Sequence, residues 1–372
     1  MPTVADIIAL MDEIAPPRLA EDWDNSGLQF GDPDNPVSRV MVSLDPSPAV
    51  IQGACDAGAE LLITHHPLFF KPFKKIDLRA PLGRMIAAAA RHSLAVFCAH
   101  TNLDAVSGGL NDIFAKMLGL QDITVLCPPA PVETACKLVV YAPKDHCRRL
   151  LDVFFAHDQG VIGQYSCCTF RQAGTGTFKP GPSARPMVGD PGEIVHADEY
   201  RIEATIKASV VKELVAALRD IHPYETMAWD VYPLYPETPA YGLGRIGVLP
   251  EPMDSATLAG KVKSAMGIEW IRVAGASDRL VRKVAVCTGS GAGLMPDFIG
   301  SGADALITGD LRYHDARDIE MHGRIAIDVG HFPSERLMIA LIQQRLASKC
   351  RESNYDVSVD AWLNEQDPFV MY

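Results

Sequence analysis

The chain has 372 residues, of which 48% are hydrophobic and 22% are charged, and its formal net charge is −12. This length exceeds what one hydrophobic core usually organises, so we expect two or three domains. No basic run is longer than two residues and no apolar stretch is long enough to span a bilayer, which argues against nucleic acid and membrane as partners.

The first residues predict a helix rather than a secretory signal. Thr3 is a suitable N-cap, and Asp6 falls in the first turn of the helix. No basic region precedes an apolar segment, as a signal peptide would require. The nine cysteines are an odd number without a C-x-x-C pair, which favours unpaired thiols in a reducing compartment. We therefore expect a cytoplasmic protein.

A strand–helix–strand pattern occurs twice along the chain. The first copy has apolar strands within 39–44 and 58–66, and the second copy has them within 281–287 and 302–310. In both copies a Gly-Ala-acid step precedes the second strand. Each copy therefore has the form of a βαβ unit, which predicts parallel strands.

The similarity continues into a third strand of each copy. That strand ends in a histidine, and an acid follows four residues later: His100 and Asp104 in the first copy, His331 and Glu335 in the second. Two unrelated segments can share apolar strands by chance. They would not be expected to share the Gly-Ala-acid step and a histidine four residues before an acid as well. We therefore predict an α/β fold of two related halves that face each other across a pseudo-twofold axis, around a shared metal site.

Between the two halves lies a segment of different character. Its pattern predicts the order β-α-β-β-α-β, which is the plan of ferredoxin-like α+β modules. Pro233, Pro236 and Pro239 mark its exit. We predict a first core half at 1–132, an inserted ferredoxin-like domain at 133–239 and a second core half at 240–372.

The first candidate metal ligands are His65 and His66. They stand where an apolar strand ends and Pro67 forces a turn. In open α/β sheets, ligands collect at the carboxyl ends of the strands, and neutral imidazoles are good ligands for first-row divalent ions. Taken alone, the pair also fits a capped strand with two surface histidines.

The acids have ordinary explanations when each is taken alone. Asp104 follows a strand and precedes a helix expected near Ser107, so it could be a loop cap. Glu335 follows Pro333 at the start of the last long helix, where the helix dipole favours a carboxylate.

The combination favours a metal centre over these separate explanations. Three imidazoles and two carboxylates at strand ends suit two divalent ions that share one carboxylate. The predicted ligands are His65, His66, Asp104, His331 and Glu335, with Glu335 as the bridge. His100 is either a further ligand or a residue that orients the ligands, and we favour the second role. The ions could be Zn, Fe, Mn, Co or Ni, because availability decides among them.

These motifs resemble those of a known family. The chain is similar to the GTP cyclohydrolase 1 type 2 homologues, the NGG-one-interacting-factor-three-like proteins, in their long form with an insert that resembles PII and CutA proteins. The matching segments span nearly the whole chain and lie at 23–29, 63–68, 100–104, 308–310 with His314, 330–335 and 367–369, with 163–165, 174–178 and 222–225 in the insert.

The resemblance implies a dinuclear site built from the same five residues. It also implies a toroidal homohexamer, in which the metal sites face an inner cavity and the inserts stack at the openings.

The first hypothesis for function is a metal-dependent hydrolase that acts on a nucleotide or a phosphoester, of which GTP ring opening is one version. The alternative is a non-enzymatic hexameric protein that carries metal or regulates, and a third possibility is a structural ring with a vestigial metal. Several polar residues have both a functional and a structural explanation. Candidates for substrate or ligand contact, or for proton transfer, are Asp24, Asn25, Ser26, Gln29, His222, Glu225, His314 and His322.

Overall fold

The computed structural model describes residues 1–129, 135–234, 241–275 and 278–370. The chain divides into two compact units, one formed by Met1–Pro129 with Pro239–Tyr372 and the other by Ala130–Thr238. The predicted boundaries at 132/133 and 239/240, and Pro236 and Pro239, lie outside the described residues. The fold is mixed α/β with several sheets, as the sequence predicts.

The larger unit begins with the elements of the first predicted half. In chain order they are α1 (Val4–Ile14), β1 (Gly27–Phe30), β2 (Arg39–Ser43), α2 (Pro48–Asp56), β3 (Leu61–Thr64), α3 (Pro81–Arg91), β4 (Ala95–Cys98), α4 (Thr101–Ala105), α5 (Leu110–Met117) and β5 (Gln121–Cys127).

The start of α1 follows from local chemistry. The hydroxyl of Thr3 accepts from the backbone N–H of Asp6, and the carboxylate of Asp6 accepts from the backbone N–H of Thr3. This reciprocal capping satisfies donors that a helix start leaves without intrahelical partners. The helix predicted at the N-terminus is thus confirmed.

The described part of the smaller unit contains one antiparallel sheet and two α-helices. Its strands are ordered β7-β8-β6-β9, and the apolar faces of its helices pack on the sheet around Leu138, Phe154 and Leu218. The chain order β-α-β-β-α-β is the one that the pattern predicts, whereas the relation to PII and CutA proteins stays a prediction. The elements are β6 (Ala135–Pro143), α6 (Cys147–Ala156), β7 (Thr169–Phe178), β8 (Val195–Lys207), α7 (Val211–Ile221) and β9 (Trp229–Pro233).

The chain then returns to the larger unit. The remaining elements are β10 (Leu243–Met253), α8 (Ser255–Met266), β11 (Arg272–Ala274), β12 (Val281–Ser290), α9 (Met295–Gly300), β13 (Ala305–Gly309), α10 (Tyr313–Met321), β14 (Ile325–Asp328), α11 (His331–Glu335), α12 (Leu337–Glu352) and β15 (Ser358–Ala361).

The described residues of the larger unit form two sheets with a common core arrangement. The orders are β1-β4-β3-β2-β15 and β11-β14-β13-β12-β10-β5. In each sheet three consecutive strands are parallel, and a short antiparallel strand pairs with the last of them. Every residue of β3, β4, β13 and β14 is buried, as expected for parallel strands covered on both faces.

The segments after these parallel strands carry the candidate ligands. His65 and His66 follow β3, and short helices follow β4 and β14. Two local expectations were wrong. Asp104 lies within the one-turn helix α4, and the next helix begins only at Leu110, because Gly108 at positive φ separates the two. Glu335 ends the short helix α11 and does not open α12.

Two further observations concern the whole chain. All nine cysteines are free, and six of them are buried, in agreement with the expected unpaired thiols. None of the described helices is long and apolar enough to cross a membrane.

Candidate metal centre

Two histidines enter the centre from the end of β3. Nδ1 of His65 lies 2.9 Å from the carbonyl oxygen of Ala99, and Nδ1 of His66 lies 2.7 Å from Oδ1 of Asp45. Both oxygens can only accept, so Nδ1 carries the hydrogen in each ring. The Nε2 atoms are therefore left to face the centre, which is the orientation that a metal-binding imidazole needs.

Two more histidines are held in the same way. Nδ1 of His100 lies 2.7 Å from Oδ1 of Asp24, and Nδ1 of His331 lies 2.7 Å from Oδ2 of Asp310. Asp310 has a φ of +55°, an unusual conformation that aspartate tolerates better than most residues. Each of these imidazoles is thus fixed by a carboxylate, as ligating histidines commonly are.

Glu335 lies at the middle of the arrangement. Its Oε2 is 2.9 Å from Nε2 of His331 and 3.0 Å from Nε2 of His66, and its Oε1 is 3.6 Å from Nε2 of His65. The Nε2 atoms of His66 and His331 are 3.3 Å apart. The structure therefore brings together His66 and His331, which are 265 positions apart in the chain.

Asp104 and His100 complete the group of six residues that we call the cluster: His65, His66, His100, Asp104, His331 and Glu335. Oδ2 of Asp104 lies 3.7 Å from Nε2 of His65, and its Oδ1 accepts from the hydroxyl of Thr288 at 3.3 Å. Two sets of three residues have donor atoms within 4.8 Å of one another, His65 with His66 and His100, and His66 with His331 and Glu335. His66 belongs to both sets.

The donors of the cluster suit divalent cations. Nε2 of His65 is buried and has no hydrogen-bond partner among the residues that the structure describes. A buried polar atom without a partner is costly, and two Nε2 atoms that face each other repel whether both carry a proton or neither does. A cation between them would remove both costs, so the residues present fit a metal.

The pKa values of the cluster follow from its charges. Burial disfavours the charged forms of His66 and His331, but the hydrogen bonds to Glu335 and to Asp45 or Asp310 outweigh it and raise the pKa of His66 to about 10 and of His331 to about 9. The imidazole of His65, together with those of His331 and His66, outweighs burial and holds the pKa of Glu335 well below its usual value. Burial raises the pKa of Asp104.

Close packing holds Glu335 in place. A Cβ built on Gly289 would lie 2.0 Å from Oε1 of Glu335, and Gly289 has a φ of +64°. Its backbone N–H donates to the hydroxyl of Ser334 at 2.9 Å. Only glycine fits this position without displacing the carboxylate.

For several residues the sequence allowed either a functional or a structural role, and in the fold they have a structural role. Asp24 accepts from Ser26, from His100 and from the backbone and hydroxyl of Thr101, so it orders a loop and orients His100. Its hydrogen bonds outweigh burial and hold its pKa far below the usual value. Asn25 donates to Gln29 and to a backbone carbonyl.

The other candidate histidines lie outside the cluster. His222 belongs to the smaller unit, where its Nε2 donates to the carbonyl of Tyr141 and its Nδ1 accepts from the N–H of Tyr224. The carboxylate of Glu225 accepts from the N–H of Arg185. His314 and His322 are exposed on and just after α10.

Sequence reasoning did not identify the partners of His66 and His331. Asp45 follows strand β2, and Asp310 follows β13. Asp310 has the repeat position of His66, so the internal repeat carried a signal for it. No sequence pattern pointed to Asp45, because its role depends on how the β2–α2 turn meets the end of β3.

Comparisons with known proteins cover the whole chain. The family model described as Duf34/NIF3 (NGG1p interacting factor 3) matches residues 2–368. Two relatives named GTP cyclohydrolase 1 type 2 homolog, from Halalkalibacterium halodurans and Bacillus subtilis, are 39% and 37% identical to this chain. Each alignment covers 98% of this chain and 97% of the relative.

Solved structures are similar as well. A Bacillus cereus protein related to NIF3, whose crystal structure is known, is 36% identical in sequence to this chain. The superposition covers 100% of this chain and 99% of that chain, with a TM-score of 0.70.

Proposed function

Because the chain belongs to the Duf34/NIF3 family, we propose that its cluster binds two divalent metal ions and that the protein is a metal-dependent hydrolase. One observation carries the proposal. Four imidazoles have Nδ1 tied to an oxygen acceptor, and in three of them, His65, His66 and His331, Nε2 lies 2.9 to 3.6 Å from the carboxylate of Glu335. Such an arrangement makes every Nε2 a ligand that is already oriented.

The proposed ligands are His65, His66, Asp104, His331 and Glu335, and Glu335 would be the ligand that both ions share. Two adjacent divalent ions lower the pKa of water and polarise a bond under attack, such as a phosphoryl group or a ring C=N bond. The substrate that the sequence suggests is a nucleotide or a phosphoester. His100 is a further candidate ligand, since Asp24 holds its Nδ1 and leaves Nε2 toward His65 and His66.

The protein's own residues supply three things to this chemistry. Asp45 and Asp310 hold the rings of His66 and His331 by accepting hydrogen bonds from their Nδ1–H groups, which makes both Nε2 atoms more basic. The buried carboxylate of Glu335 offsets positive charge at the centre. His331, with 35% of its side chain exposed, lies at the open edge where a substrate can approach.

The first experiment measures metal and turnover together. Elemental analysis of purified protein is expected to give close to two first-row transition ions per chain, and a screen of nucleotides and phosphoesters is done with the metal found. His65→Ala and Glu335→Gln are expected to lose metal and turnover. His322→Ala, an exposed histidine outside the cluster, is the matched control and is expected to keep both.

Each outcome has a defined meaning. A folded, pure sample that takes up no transition ion contradicts the proposal. Metal that exchanges readily without turnover on any compound favours the alternative, a metal carrier or regulatory scaffold. A lower melting temperature after removal of the metal by a chelator, with no other effect, favours a structural role for the metal.

The remaining architecture of the sequence prediction also stands as a proposal. It comprises two duplicated halves around the shared site, a PII/CutA-like insert and a toroidal homohexamer. The similarity between the parallel cores of the two sheets supports the duplication. Light scattering of the purified protein tests the oligomer, because a monomer in solution would contradict it.

A further inference from the structure

The surroundings of the cluster differ between its two sides. A cavity of about 550 Å³ opens beside His66 and His331. His100 is not among the described residues that line this cavity, and its ring lies 5.5 Å from the ring of Phe70. Phe70 belongs to the segment at 69–79, which follows His65 and His66 by a few residues and which we call the basic loop. The structure describes every residue of the basic loop and places none of them in a helix or a strand.

The basic loop and the whole chain have opposite charges. The loop contains three lysines, one arginine and one aspartate, so its net charge is +3 in a chain with a net charge of −12. Arg79 pairs with Asp77 at 2.9 Å. Lys71, Lys74 and Lys75 are exposed, and none of them forms an ion pair with another described residue. Their ammonium groups are therefore available to attract an anion.

Aromatic rings alternate with these cations. Phe70 is 49% exposed and Phe73 is 41% exposed. The ring of Phe73 packs edge-on against Phe69 at 5.0 Å, and Phe69 packs against the buried core around Leu62, so this contact anchors the loop. Exposed rings beside ammonium groups suit a ligand that has both a flat ring and a phosphate, because bases stack on aromatic side chains and lysine pairs with phosphate.

Carboxylates near His100 indicate where the phosphate of such a ligand would bind. The ring of Trp23, which is 63% exposed, lies 6.0 Å from that of His100. Glu21 and Asp22 precede it in the chain and are exposed. An anion is disfavoured beside these two carboxylates, whereas an uncharged base is not. The lysines of the basic loop are therefore the groups that can receive the phosphate.

We propose that the basic loop binds a mononucleotide, with the phosphate on its lysines and the base against Phe70. The inference deepens the function proposed above and rests on it, because it takes the cluster beside the loop as the reacting centre. It narrows the substrate from a nucleotide or a phosphoester to a compound that has both a base and a phosphate.

The test compares three probes that separate the base from the phosphate. They are guanosine 5′-monophosphate, guanosine and inorganic phosphate. Calorimetric titration of the full chain is expected to give an affinity for the monophosphate that is about tenfold or more above that for either of the other two, because only the monophosphate engages rings and lysines together. The titration is done on protein as purified and after metal removal, since a metal ion can itself bind a phosphate.

Lysine variants assign the phosphate to the basic loop. Lys71→Gln with Lys74→Gln, the loop variant, is expected to weaken binding of the monophosphate by about tenfold and to leave guanosine unchanged, because the phosphate loses two cations. Lys212→Gln with Lys263→Gln removes the same charge from exposed positions outside the loop. This matched control is expected to bind the monophosphate as the unaltered protein does.

A ring variant assigns the base. Phe70→Ala is expected to weaken binding of the monophosphate and of guanosine by the same factor, about fivefold or more, as loss of one stacking partner does. Tyr313→Ala removes a ring that is 72% exposed outside the loop and is expected to change neither affinity.

The results separate this inference from the metal proposal. Equal affinities of the loop variant and its control for the monophosphate overturn the inference, as does guanosine or phosphate that binds as tightly as the monophosphate, or no binding of the monophosphate at millimolar concentration. Binding through the loop lysines by a protein that takes up no metal supports the inference and contradicts the metal proposal. Metal-dependent turnover with the same KM in the loop variant and its control supports the metal proposal and overturns the inference.

Discussion

Protons on the histidines of the cluster compete with a cation for the same nitrogen atoms. Nδ1 of each histidine is tied to an acceptor, so the proton that a cation displaces is the one on Nε2. His66 and His331, whose pKa values are raised to about 10 and about 9, carry that proton at neutral pH when no cation is bound. Metal binding and proton release are therefore linked at these two residues.

We expect metal uptake at pH 7 to release close to two protons from His66 and His331 together. A raised pKa means that the free imidazole is protonated below that value, so competition with protons weakens as pH rises and ends above about pH 10. The apparent affinity should rise by up to about 100-fold per pH unit in the neutral range. Calorimetry in buffers of different ionisation enthalpy measures the proton count.

His331→Ala is the comparison for this measurement and should release one proton fewer. Release of no protons at pH 7 would show that both imidazoles are already neutral in the free protein, which contradicts their raised pKa values.

Among the secondary-structure elements, the segment after β15 has a role that reaches the cluster. The carboxylate of Glu365 accepts from the N–H groups of Leu44 and Asp45, each at 2.8 Å. These hydrogen bonds hold the β2–α2 turn, and Asp45 in that turn holds His66. The C-terminal segment thus positions His66, a proposed metal ligand, through two steps.

Glu365→Ala is expected to weaken metal binding by roughly tenfold, the lower end of the effect seen when groups that orient ligands are lost. The fold should persist, because Glu365 is not part of a hydrophobic core. Competition with a fluorescent chelator gives the affinity. Gln366→Ala, at the exposed neighbouring position, is the control, and equal affinities of the two variants would rule out the positioning role.

For the molecule as a whole, one buried ion pair joins distant parts of the chain within the larger unit. Arg245 of β10 is 2% exposed, and its guanidinium pairs with Asp112 of α5 at 2.7 Å. It also donates to backbone carbonyls of 105, 106, 242 and 244. One side chain therefore satisfies acceptors on both sides of the inserted unit in the sequence.

Arg245→Met is expected to lower the free energy of unfolding by about 3 to 5 kcal/mol, because it leaves a mostly buried carboxylate and several carbonyls without a partner. Urea unfolding followed by circular dichroism measures the change. The double variant Arg245→Met with Asp112→Leu removes the orphaned charge and should recover part of the loss. A change below about 1 kcal/mol in the single variant would contradict this role.

Local sequence determined the helices and strands and the positions of the candidate metal ligands. Capping at Thr3, the apolar runs of β3 and β13, and the polar residues after them depend on neighbours a few positions away, so a pattern could predict them. The family could be predicted for the same reason, because its motifs are local segments. The comparisons with known proteins confirm it.

Tertiary structure decided which groups meet. Asp45 against His66 and Asp24 against His100 are contacts between segments 21 and 76 positions apart, and they depend on how turns pack at the sheet edge. The cavity beside His331 arises from β11, α11 and the C-terminal segment together. No local pattern encodes such a meeting, because the free energy that selects it comes from the packing of the whole core.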